Sequence, residues 1–158
     1  MGADGDCTFQ SDYGKLGDPY LMPVVEHMRK QLLSRHIIHC DETPVQVLKE
    51  EGKKPQTKSY MWLYRTGIND EKPVILYDYQ PSRNDDHAVT FLKDFKGYVH
   101  SDGYSGYNKL SGITRCGCWA HLRRKFIEAI PQKKGTETLT NAEIGRDYCD
   151  QLFMIERD

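Results

Sequence analysis

Two short apolar runs in this chain each end on an aspartate. Ile37-Ile38-His39-Cys40-Asp41-Glu42-Thr43-Pro44 is the first, and Tyr98-Val99-His100-Ser101-Asp102-Gly103-Tyr104-Ser105-Gly106-Tyr107 is the second, with the two aspartates 61 positions apart (102 minus 41). Each run reads as a buried strand with a carboxylate at its end. The second breaks at once into a Gly-rich turn. Two strands that each deliver an aspartate suggest a paired-carboxylate metal site, provided the intervening chain lets them lie side by side.

That chain has the punctuation required. Leu21, Val24, Val25, Met28 and Leu32 carry the stripe of an amphipathic helix, with Pro23 in its first turn. Ile37 to Thr43 forms the first strand. Tyr60 to Tyr64, apolar on both faces, forms the second, and Pro73 to Tyr79 the third; short polar turns between them predict an antiparallel meander. Asn84 and Asp85 are N-cap candidates for a helix marked by Ala88, Phe91, Leu92 and Phe95, which Gly97 closes. Tyr98 to Ser101 is the fourth strand, followed by a short helix or turn near Tyr104 to Leu110. Ile113 to Trp119 is the fifth strand and Ala120 to Ile130 a helix. Thr140-Asn141-Ala142-Glu143 matches a capping box that opens a last helix, with Ile144, Tyr148, Leu152 and Ile155 on its apolar side. Residues 1–18 read as a flexible N-terminal segment and 19–158 as one core. The expected class is α/β: a five-stranded mixed sheet, three antiparallel strands then two more, flanked by helices. Apart from its leading helix, this is the element order of the ribonuclease H-like fold.

Composition narrows the function classes. The chain has 158 residues, a formal net charge of -1, and 38% hydrophobic and 28% charged residues. That is an ordinary globular composition for one domain. No apolar run approaches the ~20 residues of a membrane helix, and no secretory signal is visible, which fits a cytoplasmic protein. A near-neutral charge is a poor footprint for a free-standing DNA binder, so any nucleic-acid role rests on local basic clusters. Cys116 and Cys118 stand at i,i+2 without a second pair, a weak zinc pattern. The five cysteines read as small buried residues of a reducing compartment.

The chemistry expected at the two aspartates is that of hard divalent ions, which take oxygen ligands. Two ions ~3.5–4 Å apart activate an attacking oxygen and stabilise a leaving one in phosphodiester displacement. Taken singly, Asp102 reads as a turn initiator and Asp41 as a bend residue before Pro44. Taken together on the first and fourth strands, they read as metal ligands. His121 opens the helix after the fifth strand and is a candidate accessory residue. Arg123, Arg124 and Lys125 are candidate phosphate contacts, a solvated helix face being the alternative. Trp119 and Phe126 read as core, and Glu42 and Asp78 as reserve ligands.

Three stretches carry a resemblance: His39 to Val45, Gly97 to Tyr107, and Gly117-Cys118-Trp119-Ala120-His121-Leu122-Arg123-Arg124-Lys125-Phe126. In that order they resemble the insertion-sequence-66 family of bacterial transposases, over roughly Tyr20 to Ile130. The resemblance implies the catalytic core of a DDE transposase, a ribonuclease H-like domain that cuts and joins DNA with Mg²⁺ or Mn²⁺. Asp41 and Asp102 fall on its first two acidic positions. It implies DNA as partner, a bacterial cytoplasmic setting, no membrane, and a candidate homo-oligomer. The family's third acid, a Glu in an Ala-Glu…Arg-Pro motif after a helical insertion, has no counterpart here. Residues 140–158 would open that insertion. The expectation is therefore a fragment that binds metal weakly and is inactive alone. Glu128, and less favourably Glu137, are the substitutes for a third acid within the chain. The rivals are a non-catalytic DNA- or protein-binding module and a stand-alone nuclease using Glu128.

Overall fold

The computed structural model describes residues 9–49, 52–132 and 138–157, with side chains from Tyr20 onward. In chain order the elements are helix α1 (Phe9–Leu33), strands β1 (Ile37–Gln46), β2 (Lys58–Thr66) and β3 (Ile75–Gln80), helix α2 (Asp86–Phe91), strand β4 (Tyr98–Ser101), a short 3-10 helix (Ser105–Lys109), strand β5 (Thr114–Gly117), and helices α3 (Trp119–Ala129) and α4 (Asn141–Ile155). The expected α/β architecture is present as a five-stranded mixed sheet in the order β3-β2-β1-β4-β5. β1, β2 and β3 form the antiparallel meander. β4 lies parallel to β1 on its other side, and β5 parallel to β4.

Alternation along the strands decides what the sheet buries. Ile38, Cys40 and Glu42 of β1 and Trp62, Tyr64 and Thr66 of β2 turn to one face and are buried. Leu32 at the end of α1, Ala88, Leu92 and Phe95 around α2, and Tyr107 complete that core. Ile37, Tyr77, Tyr79 and Tyr98, of opposite parity, share the second face, and none of these four is buried; Ser59 near the start of β2 is a buried exception to the alternation. From Tyr60 to Tyr64, β2 is therefore covered on one face only among the described residues, where its sequence reads as covered on both.

Helix ends differ from the sequence expectation in instructive ways. α1 begins at Phe9, so residues 9–18 are helical and Pro19 and Pro23 lie inside the helix. Each proline forfeits one intrahelical hydrogen bond without ending the element. The expected stripe on α1 is buried only at its end, since Leu21 and Val24 are exposed. At α2 it is Asn84, through its side-chain carbonyl, that accepts the Asp86 N–H at 3.0 Å, whereas Asp85 makes no side-chain cap. The capping box of α4 forms as expected, with the Thr140 N–H donating to Glu143 at 2.9 Å. Its apolar residues Ile144, Tyr148, Leu152 and Ile155 are exposed, and Cys149 is buried instead.

Gly97 sets β4 against β1. The Tyr98 N–H donates to the His36 carbonyl at 2.9 Å. A Cβ on Gly97 would stand 2.5 Å from that same oxygen, at a φ of +155°. Only glycine allows the two chain segments this close.

Candidate functional site

The pairing of β1 with β4 is what relates the two aspartates. Ile37, Ile38 and His39 pair with Tyr98, Val99 and His100, an offset of 61 (98 minus 37). Asp41 and Asp102 stand at the same offset, two residues further on. Parallel partners point to the same face, and the rings of His39 and His100 accordingly lie 4.7 Å apart. Asp41 and Asp102 line one cleft of ≈ 200 Å³, together with His39, His100, Arg65 and His121.

Each carboxylate has a local anchor. Asp41 accepts the Glu42 N–H at 2.9 Å, and Asp102 accepts the Tyr104 N–H at 2.9 Å. The turn role read for Asp102 is thus real, and it engages one oxygen. Among the described residues the other oxygen of each aspartate accepts no hydrogen bond. Asp102 is also held through its backbone. Arg115 donates to its carbonyl at 2.5 Å and to Ser101 Oγ at 3.2 Å, and the Cys118 N–H donates to the Ser101 carbonyl at 2.9 Å. These contacts tie the end of β4 to β5 and to the start of α3, which carries His121. The His121 Nδ1 is buried and has no hydrogen-bond partner among the described residues. Burial, with the charges of His100 and Arg65 beside it, holds His39 below the ordinary histidine range, so it is neutral at pH 7.

The other singled-out residues fall outside this cleft. Glu128 is exposed on α3 and pairs with Lys125 at 2.7 Å. Arg123 is bound to Asp150 of α4 at 2.5 Å, so one member of the basic run serves the α3–α4 contact. Arg124 is exposed beside them. Asp78 accepts from Gln80 at 2.9 Å. Glu137 lies outside the described residues. Glu42 turns to the covered face, where Arg83 donates to it from Nε at 3.0 Å; it is not placed to serve as a reserve ligand. The buried parity of Ile38, Cys40 and Glu42 was the signal for this. Trp119, read as core, is 51% exposed.

Among the described residues, no three His, Cys, Asp or Glu side chains are grouped closely enough to hold a metal ion. Asp41 and Asp102 supply two hard oxygen donors, which suit part of the shell of Mg²⁺ or Mn²⁺.

The fold is thus an α/β domain with a mixed sheet whose two adjoining parallel strands bring Asp41 and Asp102 to one cleft. Comparison with known proteins makes the assignment specific: the family described as "Transposase IS66 family" matches residues 7–158. The chain belongs to this transposase family. It is similar to three proteins of Sinorhizobium fredii (strain NBRC 101917 / NGR234). The uncharacterized protein y4qI is 29% identical over 122 residues, 68% of this chain and 22% of its own length. The uncharacterized protein y4hP is 26% identical over 87% of this chain and 28% of its own. The uncharacterized protein y4jD is 25% identical over 88% of this chain and 29% of its own. The chain thus spans less than a third of the length of these relatives. No solved structure matches it. Among the described residues no helix is long and apolar enough to cross a membrane.

Proposed function

We propose that this chain is the part of a DDE transposase that carries the first two metal-binding acids, Asp41 and Asp102. One observation carries the reading: the shared offset that brings Asp41, within β1, and Asp102, just past the end of its parallel neighbour β4, to one cleft. The strand order β3-β2-β1-β4-β5 is that of the ribonuclease H-like fold and supports the same reading, as does membership of the transposase family.

In this reading Asp41 and Asp102 would hold Mg²⁺ or Mn²⁺, while the backbone N–H bonds to one oxygen of each fix the carboxylate planes. The bound ion supplies Lewis-acid polarisation of a DNA phosphodiester. His39, held below the ordinary histidine range by burial, adds no positive charge to compete with the ion at pH 7. Arg115 acts on the Asp102 backbone, not on substrate, because its guanidinium is already shared among Asn108, Ser101 and Asp102. Two acids hold an ion weakly, so this chain alone binds metal without completing strand transfer. The 22–29% of each relative's length that it covers leaves ample chain for a third acid and for DNA-binding segments.

The test is Mn²⁺ binding, read by electron paramagnetic resonance and by thermal shift. Wild type should bind, and Asp41→Asn/Asp102→Asn should lose the response while unfolding normally in chelator. An unchanged Mn²⁺ response in that double variant overturns the assignment.

A further inference from the structure

A second groove adjoins the carboxylate cleft. It has a volume of ≈ 820 Å³ and shares Asp102, Cys118 and His121 with the smaller cleft, so the two are immediate neighbours. Trp119, Leu122 and Lys125 form its α3 wall. They stand at i, i+3 and i+6 along one side of that helix. Of the chain's two tryptophans, Trp62 is fully buried and Trp119 is half exposed. The Trp119 ring therefore faces water at a place where hydrophobic burial would otherwise have drawn it in.

The wall has the chemistry of one nucleotide. An indole face accepts a base of any identity by stacking. Leu122 gives an apolar edge beside it. Lys125 gives a cation one helical turn further on, held among the described residues by an exposed pair to Glu128 at 2.7 Å. Such exposed pairs are weak, and a phosphate can displace Glu128 from the ammonium. The groove reaches Asp102, one of the two aspartates at which, in the reading above, a phosphodiester is handled.

We propose that this groove is a nucleotide subsite: an unpaired base of the DNA strand stacks on Trp119, and Lys125 takes an adjoining phosphate. The inference rests on the DNA-processing reading for the identity of the ligand, but not on metal. A duplex end must fray, or a cut strand be released, before a base can enter.

The test titrates the chain in EDTA with a single-stranded dT12 oligonucleotide. Tryptophan fluorescence follows stacking, and anisotropy of the labelled oligonucleotide follows affinity. Because Trp62 is buried, saturable quenching reports Trp119. Trp119→Ala should weaken binding by about 5- to 150-fold, and Trp119→Phe should retain most of it. Lys125→Gln should lower the salt slope by about one counterion. Binding without quenching, an unchanged Kd in Trp119→Ala, or equal quenching by a blunt dT12·dA12 duplex overturns the proposal. Trp119, which does not line the carboxylate cleft, separates the two readings: Trp119→Ala should lose oligonucleotide affinity by anisotropy while keeping the wild-type Mn²⁺ response, so the groove and the metal site can each fail alone.

Discussion

Tyr107 donates its phenolic hydrogen bond to Glu42 Oε2 at 2.7 Å, across 65 positions of chain. The Glu42 side chain is completely enclosed, and Arg83 holds its other oxygen. The Tyr104 hydroxyl donates to the Arg83 carbonyl at 2.6 Å, and its ring lies 4.1 Å from the Arg83 guanidinium carbon. The turn that follows Asp102 is thereby fastened to the strand that carries Asp41, on the sheet face opposite the cleft.

This arrangement sets an order of sensitivities. Tyr107→Phe removes one hydrogen bond to a charged, buried partner and should cost about 1.5–3 kcal/mol. Arg83→Ala leaves the Glu42 carboxylate buried without its cation. It should cost more, up to about 3–5 kcal/mol. Urea unfolding of the two variants beside wild type reads both numbers. If Tyr107→Phe unfolds at the wild-type midpoint, the bond to Glu42 does not hold the turn.

Gly145 offers a case where helix propensity points the wrong way. Gly→Ala inside a helix ordinarily stabilises by about 1 kcal/mol. Here a Cβ would stand 2.4 Å from the Phe126 ring of α3. Overpacking of this kind costs about 1–3 kcal/mol, so Gly145→Ala should destabilise the α3–α4 pair. Adding Phe126→Leu should recover part of the loss. Thermal unfolding of the single and double variants decides, and a Gly145→Ala variant more stable than wild type refutes the packing.

The same contact explains why the face of α4 was illegible in the sequence. Ile144, Tyr148, Leu152 and Ile155 form the stronger apolar stripe, yet α4 meets α3 through Gly145 and Cys149, residues that weigh little in a hydrophobic pattern. α1 was under-read for a related reason: Gly14, Gly17 and two prolines are poor helix formers, so no local signal carried the helix back to Phe9. The strands were legible because β-branched and aromatic runs sit between turn residues. The relation between Asp41 and Asp102 was legible because a parallel pair preserves both offset and parity. Glu42 was half legible. Its alternation with Ile38 and Cys40 marks it as buried, but its partners Arg83 and Tyr107 are 41 and 65 positions away, and no spacing rule reaches them.

The thiols should divide cleanly under native labelling. Cys40 and Cys149 are buried, while Cys116 and Cys118 are partly exposed. Burial and the nearby Glu42 and Asp41 charges push the Cys40 thiol far up, which suppresses the reactive thiolate. Iodoacetamide at pH 8 should therefore modify Cys116 and Cys118 well before Cys40, as read by peptide mass mapping. Equal rates at Cys40 and Cys116 would contradict the burial of β1 beneath α1 and α2.

Tyr64 predicts a gain from removing an atom. Its ring stacks on Phe91 with centroids 3.7 Å apart and planes within 4°, and it is wholly buried in the core. Its hydroxyl, however, has no hydrogen-bond partner among the described residues. A buried donor left unpaired costs about 1–3 kcal/mol. Phenylalanine keeps the stacking and the apolar area while deleting that cost. Tyr64→Phe should thus raise the unfolding free energy read by urea denaturation, by about 1 kcal/mol once the lost packing of the oxygen is allowed for. Tyr64→Ala should instead lose about 3–5 kcal/mol through the cavity it opens. The same pair of substitutions at Tyr77, which is 69% exposed on the second face of the sheet, should change the unfolding free energy by no more than about 0.5 kcal/mol. Loss of stability in Tyr64→Phe would mean that the hydroxyl is paired in solution.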